Sequence, residues 1–131
     1  MTHETKLTDD IMHEYKKNLG RLRVLQDKQL GKLHPEVTQE QKDIENYIDT
    51  VDFILSLLNE QKQKIIRYWY INNYSVAKIS MLLNYSYEYT SLLKVKACCD
   101  FAEIITHIPN KENDNVRKIY DYIKKVQSEL Q

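Results

Sequence analysis

The residues that could do chemistry are few, and their spacing removes most of the options. The four histidines, His3, His13, His34 and His107, contain no pair at i and i+4, and no Cys-x-x-Cys stands opposite them. The usual zinc geometries therefore have no ligands in register. The glycines are Gly20 and Gly31, and neither sits in a Gly-rich loop that could cradle a phosphate. Cys98 and Cys99 are adjacent, and neighbours on a helix point about 100° apart. They read as one buried small residue and one partly exposed neighbour rather than as a redox pair or a disulfide framework. The expectation is a chain that is not an enzyme and carries neither metal nor cofactor.

What remains is a concentration of Tyr, Lys and Ser. Six of the ten tyrosines fall between Tyr68 and Tyr89. Tyr68 and Trp69 suit a core with their polar tips reaching water, whereas Tyr85, Tyr87 and Tyr89 alternate around a turn and a helix start, so at least one must be exposed. Ser75 and Ser86 each precede a helical pattern and suit N-caps. Beyond Ser86, the positions Leu93, Ala97, Phe101 and Ile104 share an apolar face, leaving Tyr87, Glu88, Ser91, Lys94 and Lys96 outward. Tyr, Lys and Ser suit phosphate or base-edge contacts, and Glu can accept from a cytosine amino group. The same positions equally suit the solvated side of a core-packing helix.

These side chains need elements to hold them. From Thr8 or Asp9, offered as an N-cap, Ile11, Tyr15, Leu19, Leu22 and Leu25 recur at helical spacing until Gly31 and the Lys32-Leu33-His34-Pro35 connector. Thr38, at capping-box spacing from Gln41, opens a second helix striped by Ile44, Tyr47, Ile48, Val51, Ile54, Leu55 and Leu58. An Asn59-capped helix over Ile65 to Ile71 follows, then a short helix Val76 to Leu83, a turn at Asn84-Tyr85, and a long helix opened by Ser86. Pro109 to Asn113 reads as a linker, and Asp114 caps a last helix carrying Val116, Ile119, Tyr120, Ile123, Val126 and Leu130.

The fold class expected is all-α, in three parts: an N-terminal helical hairpin over residues 1–58, a trihelical unit over 59–108, and a linker with a C-terminal helix over 109–131. Two Gly and two Pro in 131 residues are too few for a many-stranded sheet. No apolar run approaches the roughly 18 residues needed to span a bilayer, and the first ten residues lack an apolar leader. A cytoplasmic protein is expected, without a membrane partner. Net charge is zero, with 19 basic and 19 acidic residues, but the middle unit holds 6 Lys+Arg against 4 Asp+Glu, while residues 1–58 hold 8 against 11. Any nucleic-acid contact must rest on local charge.

One resemblance emerges from these runs. Ile54-Leu55-Ser56-Leu57-Leu58, Ile65-Ile66-Arg67-Tyr68-Trp69-Tyr70, the stretch Ser75 to Ser86, and Lys94 and Ala97 followed by Phe101-Ala102 resemble the helix-turn-helix of sigma-factor region 4. The pattern is most similar to the ArpU-like and RinA-like phage transcriptional regulators of Firmicutes, over roughly Ile54 to Ile105. Tyr89-Thr90-Ser91 stands where that group tends to have Thr-Tyr-Tyr, and an extra basic residue often found beside it is missing here. The resemblance implies sequence-specific binding of double-stranded promoter DNA by a regulator of phage or prophage late genes. Ser75 and Lys78 would position the first helix on phosphate, and Ser86 would cap the reading helix. Tyr87, Glu88, Ser91 and Lys94 would face the groove, with Arg67 and Lys96 near phosphates. RNA polymerase is a further expected partner, and a homodimer through the N-terminal helices would double the contacts. The alternative is a neutral helical adaptor that binds another protein.

Overall fold

The computed structural model describes residues 3–32 and 36–107, and its order is five helices: α1 His3–Gln29, α2 Gln39–Ser56, α3 Glu60–Tyr70, α4 Val76–Leu83 and α5 Tyr87–His107. The linker and C-terminal helix expected beyond residue 108 lie outside the described residues.

Four of the five starts are set by residues immediately before them. Thr38 Oγ1 accepts from Gln41 N at 3.1 Å, Asn59 Oδ1 from Lys62 N at 2.9 Å, Ser75 Oγ from Lys78 N at 3.1 Å and Ser86 Oγ from Tyr89 N at 3.1 Å. Each satisfies one of the amide donors that a helix start leaves without an intrahelical partner. The capping box expected at Thr38 is half formed. The Gln41 side chain is turned away from the cap, accepting from Gln29 at 2.8 Å and donating to Glu45 at 3.1 Å. The stop of α4 is equally local, because Asn84 takes the left-handed conformation at φ 60 and ψ 44, and Tyr85 N bonds back to Ser80 O at 3.0 Å.

The first helix corrects one expectation. Thr8 is no N-cap: α1 begins at His3, and Thr8 is wholly buried inside it, its hydroxyl donating to Cys98 O at 2.6 Å. The cause is Leu7, one helical turn before Ile11 and also buried, which extends the apolar stripe upstream of the point where the pattern was read to begin. At 27 residues, α1 is about 40 Å long.

It lies against both α2 and α5, and α5 in turn packs on every other helix. Ile11 and Met12 from α1, Val51, Ile54 and Leu55 from α2, Ile65 and Ile66 from α3, Ile79 from α4, and Ala97, Phe101 and Ala102 from α5 belong to one continuous core and have no exposed surface. Small Ala97 and Ala102 on either side of Phe101 let neighbouring helices approach α5 closely. The boundary read at Leu58 falls in the turn between α2 and α3, but the core runs across it.

Polar links tie the same helices together. Tyr47 Oη donates to Ile11 O at 3.0 Å and Tyr15 Oη to Asp52 Oδ1 at 2.6 Å, joining α1 to α2. Lys62 of α3 pairs with Asp100 of α5. Among the described residues, no helix is long and apolar enough to cross a membrane.

Candidate nucleic-acid interface

The nine residues singled out from the sequence separate into four settings. Ser75 and Ser86 are exposed and serve as caps, each hydroxyl already accepting from its own helix. Tyr87, Glu88 and Lys96 are exposed on α5, and Ser91 is half-buried. Arg67 stands apart: its guanidinium donates to Asp52 Oδ1 at 3.4 Å, and the same oxygen accepts from Tyr15, so its charge is directed to α2.

Lys78 and Lys94 are held by aromatic rings. Lys94 Nζ lies 3.4 Å from the centre of the Trp69 ring and Lys78 Nζ 4.0 Å from that of Tyr74. Both are cation–π contacts, worth about 0.5–1 kcal/mol at exposed sites. Along α5, Tyr87, Ser91 and Lys94 follow i, i+4, i+7 and form one flank, beside Trp69. Glu88, Leu92, Val95 and Lys96 form the more open stripe. The four residues expected to face a groove, Tyr87, Glu88, Ser91 and Lys94, thus fall within about 120° of the helix, with Lys94 drawn to Trp69 at one edge and Glu88 at the more open one.

Trp69 and Tyr74 also line an open cleft of about 680 Å³, together with Tyr70 and Asn73 and with Asp9, His13, Lys16 and Lys17 from α1. Asn73 is in the left-handed region at φ 56, which turns the chain from α3 toward Tyr74 and α4. Tyr74 is further seated on Tyr68, ring centres 5.6 Å apart, and the His13 ring meets Tyr70 edge to face at 5.9 Å. Asp9 accepts from the Tyr70 hydroxyl, which also lies 3.5 Å from Cys98 Sγ.

Burial, the neighbouring Cys98 and the bond to Asp9 all push the Tyr70 phenol upward. Burial likewise pushes the Cys98 thiol up, which keeps it protonated at neutral pH, and Cys99 beside it is half-buried. Tyr68 and Trp69 pack partly buried against the core, while Tyr87 and Tyr89 are 56% and 48% exposed, Tyr89 standing edge-on to Tyr85 at 5.0 Å. Among the described residues, no group of three or more His, Cys, Asp and Glu side chains is arranged to hold a metal ion.

Compared with known protein families, curated proteins and solved structures, this chain matches none.

Sequence reasoning missed two features of this surface. His13, Lys16 and Lys17 form a stripe on α1 at i, i+3 and i+4, and that stripe was visible, but nothing local told that it would border Trp69. The second is apolar: Met81 is 81% exposed, Leu82 51%, Leu92 70% and Val95 47%. Each interrupts an outward face, which the period itself marks once the buried face is assigned.

Proposed function

We propose that this protein binds double-stranded DNA through α4 and the start of α5, as a regulator of phage or prophage transcription. The observation that carries the reading is the sequence of an eight-residue α4, a tight turn closed by left-handed Asn84, and a Ser86-capped α5 whose first turn presents Tyr87, Glu88 and Tyr89 to solvent. A short helix, a tight turn and a second helix with an open N-terminal end suit insertion into a major groove. Lys78 and Lys94, steadied on Tyr74 and Trp69, supply positive charge beside that end in a chain whose overall charge is zero. The resemblance to sigma-factor region 4 supports the assignment to transcription and RNA polymerase as a further partner.

A homodimer through the N-terminal helices has exposed apolar side chains to use in Val24, Leu30 and Val37 near the end of the hairpin, at 53%, 76% and 51% exposure, and in Phe53 and Leu57 on the α2 side. The stripes of Ile11, Tyr15, Ile44, Ile48, Val51, Leu55 and Leu58 are buried within the chain.

A helical adaptor is the second reading, favoured by the exposed Met81, Leu82, Leu92 and Val95. Titration of the intact protein into labelled duplexes across a salt series separates the two. Six phosphate contacts would give a slope of log affinity on log salt near −5, about −0.9 per contact. No binding at low salt, or a flat response, rejects the DNA reading in favour of the adaptor.

A further inference from the structure

The cleft between α1 and the α3–α4 junction has a role that the helix-turn-helix reading leaves open. We propose that it is a second contact for the phosphate backbone of duplex DNA, with His13, Lys16 and Lys17 of α1 extending the surface begun by Lys78 and Lys94. The proposal rests on the reading above.

Three observations on α1 and its neighbours carry it. First, two shared rings make the five basic residues one surface. Trp69 and Tyr74 carry Lys94 and Lys78 and line the cleft that His13, Lys16 and Lys17 also line. Second, the lysines are available. The cations of α3 are consumed, Lys62 by Asp100, Lys64 by Glu60 and Arg67 by Asp52, whereas Lys16, Lys17, Lys78 and Lys94 have no ion pair among the described residues. Among the described residues, Asp9 is the one carboxylate in the lining, and it accepts from Tyr70. Third, the shape suits a strand of backbone rather than a small anion. The cleft is open and combines aromatic walls, against which deoxyribose can pack, with Lys16 and Lys17 in its lining. Lys78 and Lys94 are already held in place by their rings, so less side-chain freedom is lost when a phosphate arrives. Phosphate contacts of this kind set register and add affinity without reading sequence.

Trp69 is the chain's single tryptophan, so its fluorescence reports on the cleft directly. The experiment uses the intact protein and a labelled duplex of random sequence. Wild type, Lys16→Ala/Lys17→Ala, and Lys42→Ala/Lys64→Ala are compared, the last removing the same charge elsewhere. Binding of the duplex should protect Trp69 from quenching by iodide. Loss of Lys16 and Lys17 should make the salt slope shallower by about one per lysine and weaken all duplexes alike, with circular dichroism unchanged because both side chains are exposed. Lys16→Arg/Lys17→Arg should restore the slope. Equal slopes for wild type and Lys16→Ala/Lys17→Ala overturn the proposal and leave the α4–α5 reading standing, as does iodide quenching that DNA does not alter. Equal reductions in the two alanine pairs also overturn it, because the effect is then one of total charge. A wild type that binds no duplex overturns the α4–α5 reading and this proposal together.

Discussion

Single side chains in this protein do their work by crossing between helices. Thr8 is the sharpest case, a wholly buried hydroxyl donating from α1 to the Cys98 carbonyl of α5. Thr8→Val keeps the shape and removes the bond, and should cost about 1 kcal/mol in urea unfolding. An unchanged midpoint would show that the bond contributes nothing net. Tyr15 carries a pH dependence. Burial first, and then its bond to Asp52, push its phenol up to about 12. The folded state therefore holds the proton more tightly than the unfolded chain, whose phenol ionises near pH 10. Stability from Tyr15 is fully present below about pH 10 and is lost as pH rises toward 12. The fall in unfolding free energy over that window should be shallower in Tyr15→Phe, with a residual slope from Tyr70, which burial raises in the same direction. Parallel falls in wild type and variant would remove Tyr15 from the account.

At the scale of the element, two exceptional backbone positions behave oppositely. Gly20 lies in the middle of α1, and a Cβ placed there meets nothing within 4 Å. Glycine in a helix interior costs about 1 kcal/mol relative to alanine, so Gly20→Ala should stabilise by about that amount in chemical denaturation. Asn84, at φ 60, ends α4 in the left-handed region. Alanine there should cost about 1 kcal/mol, because it keeps the Cβ that crowds the following carbonyl but lacks the short polar side chain that suits Asn to this conformation, whereas Asn84→Gly, which removes the Cβ, should be close to neutral. The contrast matters for function, since this residue turns the chain from α4 into α5. Asn84→Ala should weaken duplex binding more than Asn84→Gly, and equal effects on binding would separate the turn from the interface.

For the whole molecule, the consequence of α1 lying on α5 is that the N-terminal hairpin and the trihelical unit share their core. Leu19 and Leu22 pack partly buried against that core. Leu19→Ser with Leu22→Ser should lower the melting temperature sharply, each change costing about 1–3 kcal/mol as apolar contact is lost, and should leave the sedimentation of the folded fraction unchanged. A changed association state at undiminished stability would instead place the stripe between two chains. The same packing brings Lys16 and Lys17 into one cleft with Trp69, the route along α1 that the proposed duplex contact would take.

The five described helices, and the starts of all but α1, were legible in the residue order because the forces that make them are local. A cap bond spans three residues, as from Thr38 to Gln41 or Ser86 to Tyr89, and an apolar period needs the neighbours one turn away. The turn at Asn84-Tyr85, and the exposure of at least one of Tyr85, Tyr87 and Tyr89, are legible on the same grounds; the left-handed geometry of Asn84 and which tyrosines are exposed come from the structure. Thr8 is buried because the stripe starts one turn earlier, at Leu7, and its hydrogen-bond partner, the Cys98 carbonyl 90 residues away, leaves no local mark. Arg67 was read as free for phosphate, yet a carboxylate 15 residues back holds it. The stripe of His13, Lys16 and Lys17 shows a polar face, and a polar face carries no mark of which helix will border it. Periodicity tells each helix which side to bury, but it does not tell which other helix will cover that side. That choice depends on how five apolar stripes fit around Phe101 at once, and so it belongs to the tertiary structure.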